Sequence, residues 1–253
     1  MTPGGLASFA IEGPFQTGGT TFWRAEHGRV RLLFAGRGPE GETAQPVRPE
    51  RNEVLERIAP GAPPVAWARQ IHSNLALPAS AGPSGEGDAL VAPRDAGLAL
   101  AISTADCVPV LLAGPTHLAA AHAGWRGLAS GVIAAAVRAL PDPPESLTAW
   151  IGPAIGTCCY EVSPEVAAEV AAGTGVEISE ITHRISGRAA RSNASPHLDL
   201  AAAAELQLRA CGVPRIATLR VCTKCDDERL HSYRREGKGG GRNLSFAYVS
   251  PAA

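Results

Sequence analysis

HLAAAHAGWRGLASGVIAAAVRAL, residues 117–140, decides how this chain folds. Its first half is a run of small apolar residues that suits a strand buried on both faces. From residue 126 the pattern changes. Leu128, Val132, Ala136 and Leu140 recur every fourth position and form one apolar helical stripe over 126–140. The chain is therefore expected to leave a buried strand and enter an amphipathic helix within a few residues. His122 interrupts the alanines just before that junction. A buried polar group needs a partner, so this histidine is either a satisfied core group or a ligand.

Outward from this stretch, 29–36 and 65–72 read as strands around a charged helical stretch near 48–59. Residues 76–87, rich in Ala, Pro, Gly and Ser, read as a loop. Further β signals are GDALVA (87–92) and GLALAISTADCVPVLLAG (97–114), the latter long enough for two strands or a bent one. Pro109 cannot donate to a ladder, so its strand is expected to lie at an edge, to bulge or to end there. Ser163-Pro164-Glu165 reads as a helix start with a capping hydroxyl. Asp199 caps an Ala/Leu-rich helix that Gly212 ends, and a last strand pair is expected at 216–222 and 243–249. Residues 173–197 read as a variable surface insertion. The elements do not alternate in a strict βαβ rhythm. The expected fold is α+β, a single domain over 1–253 with a mixed β-sheet core flanked by helices.

The 253 residues are 45% hydrophobic with a net charge of −1, which gives no electrostatic case for nucleic acid or an acidic membrane face. No segment reaches the ~18 to 20 apolar residues of a membrane span. The N-terminus lacks the charged and apolar regions of a signal peptide. Six cysteines without a secretion signal read as thiols or metal ligands, and a cytoplasmic location follows.

His72, Asp106, Cys107 and His122 are metal-competent side chains in or beside apolar strands. If three strand ends bring His72, Cys107 and His122 together, two imidazoles and a thiolate suit zinc with an open fourth position. Such zinc lowers the pKa of a bound water toward ~7. The plain alternative is two satisfied core histidines and a small buried thiol. Cys222-Thr-Lys-Cys225 is half of a structural zinc site, a redox pair, or two buried or site-lining thiols. Cys158-Cys159 is its possible completing half, although adjacent cysteines in a strand would point to opposite faces. Arg234, Arg235 and Arg242, with Lys224 nearby, either hold an oxyanion or form a solvated charge run. Arg126, at the strand–helix junction, lies close to His122 in any fold. The glycines of GKGGGRN (237–243) lack the strand–loop–helix context of a phosphate loop and read as a hairpin.

RQIHS (69–73), GDALV (87–91), STADCVPVLL (103–112), AAHAGWRG (120–127), IGPAIGTCCYEV (151–162) and CTKCDDERLHSYRREG (222–237) occur in that order. Together they closely resemble the YfiH family, also called the multicopper polyphenol oxidase or laccase domain family, from about residue 29 to 249. The resemblance implies one α+β domain and a zinc site at His72, Cys107 and His122. It implies an enzyme, a purine nucleoside phosphorylase acting on adenosine, inosine and methylthioadenosine that also deaminates adenosine. Other members are described as peptidoglycan editing hydrolases that remove serine from a UDP-muramyl intermediate. Lys224 stands where an aromatic residue is common in the family. On this reading His72, Cys107 and His122 are catalytic, with copper able to replace zinc in vitro. Trp125, Arg126, Arg234 and Arg242 bind the nucleoside and phosphate. Gly124 and Gly127 let the backbone turn close to the substrate. One zinc per chain is expected. The oxidase reading fits poorly, because the seven histidines do not cluster.

Overall fold

The computed structural model describes residues 9–39, 51–183 and 195–251. In chain order the first elements are β1 (Glu12–Thr17), β2 (Thr20–His27), β3 (Val30–Ala35), α1 (Arg51–Ile58), β4 (Val65–Arg69), β5 (Ala76–Pro78), β6 (Gly82–Glu86) and β7 (Ala89–Pro93). There follow β8 (Ala99–Thr104), β9 (Val108–Ala113), β10 (His117–Ala123), α2 (Trp125–Ser130), α3 (Val132–Ala139), β11 (Thr148–Ile151) and α4 (Pro164–Thr174). The last are α5 (Ile178–Ile181), β12 (Thr182–His183), β13 (His197–Leu198), α6 (Leu200–Ala210), β14 (Arg215–Thr218), α7 (Tyr233–Glu236) and β15 (Asn243–Val249).

The fold is α+β with mixed sheets flanked by helices. The strands divide between a seven-stranded sheet, ordered β1-β2-β3-β15-β8-β4-β6, and a six-stranded sheet, ordered β14-β11-β9-β10-β7-β5. Trp23, Leu32, Phe34, Leu100 and Ile102 of the first sheet pack against Leu90, Leu111, Leu118 and Trp150 of the second. Each such buried side chain contributes about 1.5–3 kcal/mol of transfer free energy. The period of two along β10 explains its alanines. Leu118 and Ala120 face the other sheet, whereas Ala119, Ala121 and Ala123 face Leu128, Val132 and Ile133. Small residues on that face let the helices lie close. On the far side α1 covers the seven-stranded sheet with Val54, Leu55 and Ile58.

Several expectations change in three dimensions. The helical stripe over 126–140 is broken at Gly131, whose φ of 82° separates α2 from α3. The segment 97–114 supplies two strands, β8 and β9, in different sheets. Pro109 lies in the interior of its sheet, between β10 and β11, but near the start of β9, where its missing N–H is tolerated. Residues 76–87 contain β5 and β6 and are not a plain loop. The two C-terminal strands do not pair with each other: β14 lies beside β11 and β15 between β3 and β8. Asp199 caps α6 through Ala202 N (2.8 Å), but Ser163 precedes α4 without a side-chain cap bond. GKGGGRN forms a single 3-10 turn after α7 and leads into β15, so it is neither hairpin nor phosphate loop. Of the proposed insertion at 173–197, residues 184–194 lie outside the described residues.

Candidate metal centre

The strand expected over 65–72 stops at Arg69, so His72 stands in the turn beyond β4. Its φ is +61° and that of Asp106 is +93°; these are the two non-glycine residues with positive φ among the described residues. Such backbone costs about 1–3 kcal/mol and needs surroundings that enforce it. Asp88, fully buried, enforces the first turn. Its carboxylate accepts from Ile71 N (3.2 Å), His72 N (3.0 Å), Ser73 N (2.6 Å) and Ser73 Oγ (2.7 Å). It also accepts from His122 Nδ1 at 2.8 Å. Burial alone would raise Asp88, but these donors, His122 foremost, hold its carboxyl well below the usual carboxylate range.

With Nδ1 on Asp88, His122 presents Nε2 at the end of β10. The ligating atoms of His72, Cys107 and His122 lie within 4.8 Å of one another, and the two imidazole rings meet edge to face with centroids 4.8 Å apart. His122 is buried, Cys107 half-buried and His72 exposed, so the triad opens to solvent on the His72 side. Burial alone would raise the Cys107 thiol, but His122 and His72 beside it bring it down. Burial opposes charge on His122 too, yet Cys107 and Asp88 push it up. Gly124 closes the back of the triad. A Cβ there would stand 2.9 Å from Cys107 Sγ and 3.1 Å from His72 Cδ2. Its φ of −77° is ordinary, so glycine is required for space and not, as expected, for a turn.

Asp106, beside Cys107, turns away from the triad. Its carboxylate accepts from Thr223 Oγ1 and from Arg234 N, both at 2.6 Å, and so anchors the segment 223–234 to the β8–β9 turn. Two guanidinium–aromatic pairs belong to the same region. Arg126 lies over Trp125 at 4.3 Å and Arg234 over Tyr160 at 5.1 Å. Burial and then the nearby Cys107 push Tyr160 up to about 12, which keeps the phenol neutral. Arg235 donates to the Thr223, Lys224 and Leu230 carbonyls and to Glu236, so it braces its own segment. Arg242 Nη1 bonds the Gly240 and Gly241 carbonyls. The neighbouring Asn243 pairs with Thr104, which puts Arg242 at the end of β8. Asp88 and Tyr160 were not singled out from sequence. The signal for Asp88 was an acid inside the otherwise apolar GDALV.

Cys158, Cys159, Cys222 and Cys225 also converge, with all sulfurs within 4.8 Å of one another. Cys158-Cys159 occupy a turn and not a strand, so adjacent side chains can point the same way.

Residues 37–250 match the family model for multi-copper polyphenol oxidoreductase laccase. A Streptomyces coelicolor protein named purine nucleoside phosphorylase is 37% identical over 221 residues, covering 84% of this chain and 86% of that protein. The Escherichia coli purine nucleoside phosphorylase YfiH is 36% identical over 188 residues, covering 72% of this chain and 73% of its own. Among solved structures, a Neisseria meningitidis protein superposes with a TM-score of 0.75 at 28% identity, over 91% of this chain and 99% of that one. YfiH of Bacillus licheniformis shares the fold, with a TM-score of 0.77 at 23% identity over 94% of this chain and 100% of its own. The chain belongs to the laccase-like YfiH family.

Proposed function

We propose that this chain is a zinc-dependent purine nucleoside phosphorylase that acts on adenosine, inosine and methylthioadenosine and also deaminates adenosine. The observation that carries the reading is the convergence of His72, Cys107 and His122 on one point open to solvent. The relatives named purine nucleoside phosphorylase support the substrate class. The donor set fits zinc: two imidazoles and a thiolate, one imidazole oriented by a buried carboxylate. Zinc held by these three residues would supply a Lewis acid with an open position.

The protein's own residues do the rest. Trp125, half-buried at the start of α2, offers a ring face for a purine. Phosphorolysis needs a phosphate oxygen at the ribose C1′ while the bond to the base breaks. Arg126 is held by a ring contact, and Arg234 by a ring contact and by Nη1 on the Glu161 carbonyl at 3.3 Å; their other guanidinium N–H groups are the donors proposed for an oxyanion. Arg242, at the end of β8, is the third candidate. Deamination needs water at C6 of adenine, and ammonia leaves.

Chromatography of products with and without phosphate tests the reading. Inosine is expected to yield hypoxanthine only with phosphate, and adenosine to yield some inosine without it. Replacing Arg126 or Arg242 by Ala is expected to slow phosphorolysis about 10-fold or more, the worth of a hydrogen bond to a charged group, and deamination far less. Cys107→Ser should abolish both. Equal hypoxanthine release in phosphate-free buffer would make the reaction a hydrolysis and remove the arginines' role.

A second reading has its own observation. Cys107 sits beside His122, whose other nitrogen bonds Asp88, an arrangement of nucleophile, base and orienting acid. This set suits amide hydrolysis on a peptidoglycan precursor. It would be favoured if neither nucleoside reacts and chelator-treated protein still releases serine from the precursor.

A further inference from the structure

We infer that Cys158, Cys159, Cys222 and Cys225 form a second metal site, a closed four-thiolate zinc centre that fastens one wall of the candidate active site. The sulfur spacing is compatible with a tetrahedral ligand set. Zinc–sulfur bonds of about 2.3 Å place the four sulfurs of a regular tetrahedron about 3.8 Å apart. Here Cys225 Sγ lies 3.5 Å from Cys158 Sγ and 3.4 Å from Cys159 Sγ, and every sulfur pair falls within 4.8 Å. A disulfide would draw two sulfurs to about 2.05 Å and leave the other two without a purpose. All four thiols are free.

The backbone is arranged for thiolates. Gly156 N donates to Cys222 Sγ at 3.2 Å, and a Cβ on Gly156 would stand 3.2 Å from Cys222 Cβ. Cys222 is bridged to Ala154 and followed by a turn closed by Asp226 N on the Cys222 carbonyl. No helix begins at this CxxC, so the helix N-terminus that opens a thioredoxin-like redox pair is missing. Four thiolates around zinc leave about two negative charges. Arg235 donates to the Thr223 and Lys224 carbonyls, which sets a guanidinium against the same turn. Soft thiolates with no open position select zinc as a structural ion.

The place of the site gives it a role. β11 and β14 run parallel, and the loops that leave their ends carry the two cysteine pairs. One loop continues into Tyr160. The other carries Thr223, the donor to Asp106, and leads to Arg234, which lies over Tyr160. A metal here joins both loops behind Tyr160 and Arg234, the latter bonded through its N–H to Asp106, next to Cys107 in sequence. Its four ligands are distinct from the His72–Cys107–His122 triad, so this inference stands whether or not the nucleoside reading holds.

Metal analysis of the full-length protein tests it. Zinc-loaded, desalted wild type should hold two zinc per chain, one more than the sequence suggested. Cys158→Ser and Cys225→Ser should each hold one and melt at lower temperature, and Cys107→Ser should also hold one. Should the cysteine variants fail to fold, cobalt-loaded Cys107→Ser protein remains. It should show thiolate-to-cobalt charge-transfer absorption of a tetrahedral four-sulfur site. One zinc in wild type that persists in Cys225→Ser overturns the inference. So does the lack of that absorption, or a disulfide among these four cysteines in anaerobically purified protein.

Discussion

Asp88 carries five hydrogen bonds on one fully buried carboxylate, and two of its donors belong to candidate ligand residues. It fixes the turn that holds His72 at positive φ and the tautomer of His122. A carboxylate behind a ligating histidine raises the basicity of the ring and fixes its direction. Asp88→Asn keeps the shape but removes the charge, and its amide cannot accept at both ends. Zinc affinity at the triad is expected to fall about 10- to 100-fold, read by chelator competition on folded protein. Affinity unchanged from wild type would make Asp88 a support of the turn alone. The same residue marks a limit of reading faces from sequence. Treating His72 as a strand residue points to this ligand candidate for an incomplete reason, because a turn closed by a distant acid positions it. Period-two alternation holds no information about that acid.

At the scale of elements, α2 carries Trp125 and Arg126 and is held in place by its contact with α4. Gly173 of α4 meets α2 so closely that a Cβ would lie 2.2 Å from Ala129 O and 2.6 Å from Ala129 Cα. In an open helix, Gly→Ala stabilises by about 1 kcal/mol. Here the obstacle is backbone, which cannot rotate away, so the clash decides the sign. Gly173→Ala is expected to destabilise by about 1–3 kcal/mol, measured by denaturant unfolding, and to shift α2 with its two site residues. A stabilised variant would show that the helices separate freely. The strand–helix junction at 123–125, the helix near 51–58 and the Asp199 cap were legible because each depends on neighbours in sequence. The break at Gly131 and the separation of β8 from β9 into two sheets were not. A lone glycine within a helical stripe reads as tolerated, and a long apolar run has the same pattern whether its strands share a sheet or not.

Across the whole molecule, the placement of the seven histidines bears on the choice between the family's oxidase name and the proposed chemistry. His72 and His122 converge with Cys107. The other five lie outside the triad and are otherwise engaged, with His183 and His197 opposite each other across β12 and β13. His27 packs near the Trp150 ring at 6.0 Å, and His117 Nδ1 is 2.8 Å from Thr116 Oγ1. His183 approaches Asp199 at 3.9 Å, His197 bonds the Thr157 carbonyl at 2.6 Å, and His231 faces Glu236 at 3.3 Å. The remaining convergence of metal-competent groups among the described residues is the four-cysteine cluster, which offers no imidazole. A laccase that passes electrons from phenols to oxygen requires several copper centres rich in histidine, and two converging imidazoles cannot build them. Copper binds N and S ligands more tightly than zinc in general, so a copper-exposed sample can carry one misplaced ion at the triad. The zinc-loaded protein, prepared free of copper, is therefore expected to consume no oxygen above background with a phenolic substrate. An oxygen electrode checks this, with metal analysis of the same sample. Sustained uptake under those conditions would mean that the triad carries out redox chemistry, and the nucleoside reading would fall with it.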